Sequence, residues 1–166
     1  MPLQTDRLSL PLLAVAQAQK EMTHNEALVL LDSLVQPVVV AVAPATVPAA
    51  PTPGQAWIVG TGATGAWAGH DGALAAWTAG GWRFVAAREG MVVWSLANAM
   101  PVRRTATTWE IGALAGAVLA LGGTQVVGAR GSAIADPTGG TTIDSAARAA
   151  IGSILGALRT HGLIAT

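Results

Sequence analysis

Few residues in this chain could perform chemistry. The carboxylates are Asp6, Glu21, Glu26, Asp32, Asp71, Glu89, Glu110, Asp136 and Asp144, and three of them, Asp71, Glu89 and Glu110, fall in the segment that also carries most of the tryptophans. A pair of carboxylates flanking a glycosidic bond can serve as its acid and base, so glycan cleavage is one reading of that segment. Other catalytic signatures are missing: there is no Gly-x-Ser-x-Gly elbow, no phosphate loop ending in Gly-Lys-Ser/Thr and no His-Glu-x-x-His. The three histidines, at 24, 70 and 161, lack metal-ligand spacing, and the chain has no cysteine. No cofactor or metal is expected, and the expectation is a protein that is not an enzyme.

Binding is the better-supported use of the same segment. An indole is a broad, rigid surface with one N–H donor, and a loop that holds an imidazole and a carboxylate beside indoles can stack a sugar ring and bond its hydroxyls. Trp67, His70, Asp71, Trp77, Trp82 and Arg83 make up that candidate glycan platform. The competing reading is that most of the rings fill the core of a chain with no tyrosine and a single phenylalanine, Phe84. Asp71 would then form an Asx turn before Gly72 while His70 bonds the backbone. His24 reads as structural, Arg103-Arg104 as a solvated edge, and Arg130 with Asp136 as an interchain or intrachain ion pair.

Elements must place these groups. Residues 1–22 read as an extended arm. Thr23-His24-Asn25-Glu26 has the form of a capping box that starts a helix. Ala27, Leu28, Leu31, Leu34 and Val35 continue that helix as an apolar stripe opposite Asp32 and Gln36, until Pro37 ends it. Val38–Val42 is a strand that runs into a stiff segment with prolines at 44, 48, 51 and 53. Strands are expected from 54 to 59, 73 to 77, 82 to 86 and 91 to 96. Gly80-Gly81 is suited to a primed hairpin turn that requires positive φ. Short strands or turns follow to Gly123, then a strand over 124–129, a turn at 136–140, and a helix from an Asp144 N-cap to a Gly162 C-cap. Ala147, Ile151, Ile154, Leu155 and Leu158 form a narrow stripe on that helix, which suits pairing with copies of itself or docking on its own domain. The expected class is α+β: an N-terminal arm and helix (1–43), a Pro-rich linker (44–56), a compact antiparallel Trp-rich β domain (57–123) and a C-terminal strand, turn and helix (124–166).

Composition narrows the partners. Nine basic residues balance nine acidic ones among 166, and Lys20 is the only lysine, which disfavours nucleic acid and anionic membrane. With 52% apolar and only 11% charged residues, much of the surface should meet protein, as in an assembly subunit. Arg7 followed by the apolar run 8–16 imitates a secretory signal, but Asp6 and Pro11 argue against one. The run Ile111–Leu121 is far shorter than the ~20 residues of a membrane span. A soluble protein without membrane insertion is expected.

Three blocks carry a resemblance: Leu12–Val35 with Leu-Ala-Val-Ala-Gln-Ala-Gln-Lys-Glu-Met-Thr-His-Asn-Glu-Ala inside it, Ala-Thr-Gly-Ala-Trp-Ala-Gly-His-Asp-Gly at 63–72, and Gly-Gly-Trp-Arg-Phe at 80–84. They resemble an uncharacterised domain family of alphaproteobacterial tailed phages and gene-transfer-agent particles. The tail, with Val-Gly-Ala-Arg at 127–130, Ile-Ala-Asp-Pro at 134–137 and the stretch 144–164, is similar to a C-terminal module of fibre and spike proteins of such particles. This chain is short beside longer relatives, with little room for an extra receptor domain. The resemblance implies a head spike or tail fibre component, assembled in the host cytoplasm and carried on the virion. It further implies contact with other virion proteins and a homo-oligomer, trimeric in the manner of fibres or pentameric at a five-fold vertex. Host attachment through capsular polysaccharide follows as the expected role, with a glycan-cleaving virion enzyme or a pure connector as alternatives.

Overall fold

The structure is a computed structural model that describes residues 3–14, 20–142 and 144–166. The class is α+β, with a helix near each end and a Trp-rich, mainly antiparallel β region between them. The chain forms two compact units, one ending at Ala113 and one starting at Leu114. Part of the expected arm, 15–19, lies outside the described residues.

Helix α1 (Lys20–Leu34) is already wound at Lys20, before the expected capping box. Thr23 and Glu26 therefore lie within the helix. Glu26 is drawn to a distant partner, its Oε1 standing 2.6 Å from Arg83 Nε, and His24 Nδ1 lies 3.0 Å from the Lys20 carbonyl. The face of α1 also differs from expectation: Leu31 and Val35 are exposed while Asp32 is buried. A buried carboxylate needs donors, and the N-terminal segment supplies them. Asp32 accepts from Thr5 Oγ1 at 2.8 Å and from the amides of Arg7 and Leu8 at 3.0 and 2.7 Å. In return the Arg7 guanidinium donates to the carbonyls of Asp32, Val35 and Gln36, capping the negative end of the helix. Residues 3–12 are thus a tight antiparallel turn, closed by Thr5 N to Leu10 O and Leu12 N to Leu3 O, in place of an extended arm.

The strands are β1 (Val38–Val39), β2 (Ala56–Ile58), β3 (Leu74–Thr78), β4 (Gly81–Val85), β5 (Val92–Ser95), β6 (Met100–Arg104) and β7 (Trp109–Ile111). They form two sheets, ordered β1-β5-β6-β7 and β2-β3-β4, antiparallel except that β1 runs parallel to β5. The segment after β1 stitches the sheets together through Val40 N to Ala56 O, Ile58 N to Ala41 O and Ala43 N to Ile58 O. Prolines 44–53, expected as a linker, run on within this unit, where Gly60 N donates to Pro44 O and Gly54 N to Trp77 O. No side chain fits at Gly60, because a Cβ there would strike the Ala43 carbonyl.

Period-two alternation splits the core. One face of the three-stranded sheet sends Ala56, Ile58, Leu74 and Ala76 against Val39, Val93 and Val102. The other sends Trp57, Val59 and Ala75 against Ala63 and Trp67. Apolar cover on both faces explains why β3 reads Leu-Ala-Ala-Trp-Thr without polar alternation. The β3–β4 hairpin pairs Thr78 with Gly81, and the positive φ falls on Gly81 (96°), not on the two central residues. The turn is held by Thr78 Oγ1, which accepts from Gly80 N at 3.1 Å and donates to Gly81 O at 2.8 Å.

In the second unit, β8 (Leu119–Leu121) pairs with β9 (Thr124–Val127), and both strands are exposed throughout. Helix α2 (Ser145–Thr160) is N-capped by Asp144, whose side chain accepts from Ala147 N. Gly162 (φ 70°) ends it. Among the described residues of this unit, Leu155 and Ile164 are the buried apolar ones, while Ile151 and Ile154 remain 43% and 59% exposed. Within the chain, Arg130 and Asp136 do not pair with each other. Arg159 takes Asp136 at 3.0 Å, and Arg130 Nε donates to the Ile164 carbonyl.

Candidate functional site

Strand β4 decides which aromatic rings can meet a ligand. Alternation points Trp82 and Phe84 to one side and Arg83 and Val85 to the other. Behind Trp82 lie Trp57 and Trp67, with ring centroids 5.6 and 5.2 Å from it. Trp67 is fully enclosed and so presents no face to a sugar. Its indole N–H is also buried without a hydrogen-bond partner among the described residues, so packing alone seats it. Ala75 and Ala63 beside it are small enough to admit the ring.

Trp77 and Trp82 are half-buried. They meet edge to face at 4.9 Å, Trp82 continues to Phe84 at 6.4 Å, and His70 lies flat on Phe84 at 3.7 Å with planes 4° apart. Trp77, Trp82, Phe84 and His70 therefore make one unbroken aromatic row. Phe84 was not among the sequence-derived site residues, although two-residue spacing from Trp82 was the signal that could have found it.

The loop that delivers His70 is fixed at several points. A 3-10 turn at Gly65–Trp67 precedes it, His70 N donates to Trp67 O, Ala73 N to His70 O and Gly72 N to Val59 O. Trp109, reaching from β7, donates its Nε1 to Gly72 O at 2.9 Å. Asp71 does not cap its own turn. Its carboxylate accepts from the amides of Gly62 and Ala63 at 2.8 and 3.4 Å, cross-bracing two loops, yet the residue stays exposed.

A shallow cavity of about 350 Å³ opens at the His70 end of the row, lined by His70, Asp71, Phe84 and Arg104 among small residues. Arg104, expected at a solvated edge, is among the residues that line it, and no local sequence pattern foretells it. Arg83 is on the opposite face, joined to Glu26 and to the carbonyls of Gly80 and Trp82. The structure thus brings together Trp77, Trp82, His70 and Asp71, adds Phe84 and Arg104, and leaves out Trp67 and Arg83.

Stacking on rings with His70, Asp71 and Arg104 at one end of the row suits a flat ligand rich in hydroxyls. Paired carboxylates do not assemble at this cavity: Asp71 is the one that lines it, Glu110 is paired with Arg103 at 2.8 Å, and Glu89 is exposed in the turn after β4. Among the described residues no group of His, Asp and Glu could hold a metal ion, and no helix is long and apolar enough to cross a membrane.

Residues 24–110 match a protein family described as a protein of unknown function, DUF2793. The matched stretch spans more than half of the chain and contains the whole aromatic row. No curated protein matches the chain.

Proposed function

The chain belongs to the DUF2793 family of proteins of unknown function, and on that footing we propose that it is a structural component of a phage or phage-like particle, of spike or fibre type, that attaches to host-surface polysaccharide. The observation that carries the reading is the row Trp77–Trp82–Phe84–His70, partly open to solvent and ending in a cavity with Asp71 and Arg104. Stacking supplies contact area, and the polar groups at the end select among hydroxyl or carboxylate patterns. The particle origin is supported by the wording of the Leu12–Val35, Ala63–Gly72 and Gly80–Phe84 blocks and of the C-terminal tail.

Assembly with other copies and with other virion proteins fits the second unit. Its hairpin β8–β9 is solvated on both faces, and a two-stranded hairpin is marginal in water without a packing partner. Leu121, Val126 and Ile154 add exposed apolar surface of the kind assemblies bury. A trimer, or a pentamer at a five-fold vertex, would cover it. The glycan-cleaving alternative has less support, because a single carboxylate lines the cavity. Adsorption of the purified protein to host cells tests the proposal: Trp77→Ala and His70→Ala should reduce it while lowering the melting temperature far less than truncation of the enclosed Trp67 does. Full adsorption by both variants would refute the assignment of the row as the attachment surface.

A further inference from the structure

The cavity at the His70 end of the aromatic row holds a charge that the fold does not use. Arg7, Arg83, Arg103, Arg148 and Arg159 are half-buried, and each side chain donates to a carboxylate or a carbonyl. Arg104 is half-buried too, yet among the described residues its side chain makes no hydrogen bond and no ion pair. It stands opposite Trp109 in the β6–β7 ladder, and directly paired residues of an antiparallel ladder leave the sheet on the same face. Trp109 reaches Gly72 O, on the loop that walls the cavity, so Arg104 leaves β6 toward that loop and lines the cavity with His70 and Asp71. The Asp71 carboxylate accepts from the amides of Gly62 and Ala63 and forms no ion pair with Arg104. Gly69, Gly72, Ala73, Ala86 and Ala87 make up most of the remaining wall, and these small residues leave room for a ring beside Arg104. A partly desolvated guanidinium without an acceptor is costly, and its planar fork matches a carboxylate through two parallel N–H···O bonds.

Resting on the reading of the row as a saccharide surface, we propose that this cavity takes the carboxylate of a uronic acid residue, with Arg104 as its fork and the sugar ring against His70. Asp71 in the same wall opposes a doubly charged phosphate more than a singly charged carboxylate. Recognition is at one point: nine basic residues balance nine acidic ones, so the chain offers no broad positive field for a polyanion.

Titration of the full chain with an oligogalacturonate and with its methyl ester, which keeps the rings and removes the charge, tests this by NMR. The free acid should bind at least about tenfold more tightly than the ester, with saturable shifts of the Arg104 Nε–H and His70 ring signals. Arg104→Gln should bring the acid down to the affinity of the ester and leave the ester unaffected, and Arg104→Lys should recover part of the difference. A glutamate oligopeptide, which carries carboxylates without sugar rings, should bind more weakly than the acid; equal or tighter binding would overturn the sugar. Equal affinity of the wild type for acid and ester, a result that needs no variant to fold, would overturn the carboxylate assignment. So would an acid-to-ester ratio unchanged in Arg104→Gln, or no saturable binding of either ligand. Binding of acid and ester alike, with shifts at Trp77 and Trp82, would leave the row as the attachment surface, which adsorption to host cells tests separately.

Discussion

Replacing Trp67 separates the structural rings from the binding ones. The side chain has no exposure, packs against Trp57 at 6.2 Å and Trp82 at 5.2 Å, and is walled by Ala63 and Ala75. Truncation of a buried Trp costs about 3–5 kcal/mol, and the cost rises with the cavity left behind. Two alanines and two rigid indoles cannot collapse far into the space, so Trp67→Ala should fall in the upper half of that range. That is a large part of the ~5–15 kcal/mol available to a domain. Trp67→Phe should lose only about 1–2 kcal/mol, because some ring area is lost while a buried, unpartnered N–H donor is removed with it. Urea unfolding followed by circular dichroism gives both numbers, provided the slopes match wild type. A Trp67→Ala loss below about 1 kcal/mol would contradict the placement of this ring in the core. A Phe variant as unstable as the Ala variant would mean that the N–H has a partner.

Other consequences concern packing and assembly. Asp32→Ala strips acceptors from Thr5, Arg7 and Leu8 and should cost about 2–4 kcal/mol, since each buried donor left alone carries a penalty; thermal melting reads it, and loss of amide-exchange protection at residues 5–10 locates it. The Arg83–Glu26 pair is 31% and 44% exposed at its side chains, so a double-mutant cycle should give a coupling of only about 0.2–1 kcal/mol. A coupling several-fold larger would point to a drier environment. Ile151→Glu combined with Ile154→Glu changes exposed positions of α2, and should leave helix content intact while dissociating the oligomer; a wild type that is monomeric by light scattering at micromolar concentration would refute the assembly reading.

The parts of the fold written as local pattern were legible. Alternation and glycine punctuation placed β2 to β5 to within a residue or two, and Asp144 with Gly162 bracketed α2. Contacts over long sequence distance were not. Nothing near Asp32 signals that Thr5 and Leu8 will fold back on it, so an acidic residue opposite an apolar stripe read as solvated when it is the inward anchor of the arm. Glu26 suited a capping box three residues after Thr23, yet it serves Arg83, on a strand far along the chain. At the candidate site, the Trp and His-Asp spacing marks the region, and period-two alternation along Trp82-Arg83-Phe84 favours Phe84 over Arg83 as the neighbour of Trp82. That Trp67 is enclosed while Trp77 and Trp82 are half-open depends on how loops 60–73 wrap the sheet, and no residue type announces it.

The central claim, that the row on β4 is the attachment surface, is tested most directly by observing the indole N–H resonances of the six tryptophans during titration with oligosaccharides from the host capsule. Saturable shifts are expected at Trp77 and Trp82, accompanied by the His70 ring signals, with Trp57 and Trp67 unmoved behind them. Saturable binding that leaves Trp77, Trp82 and His70 unshifted, or no binding to any host-surface polysaccharide, would contradict it.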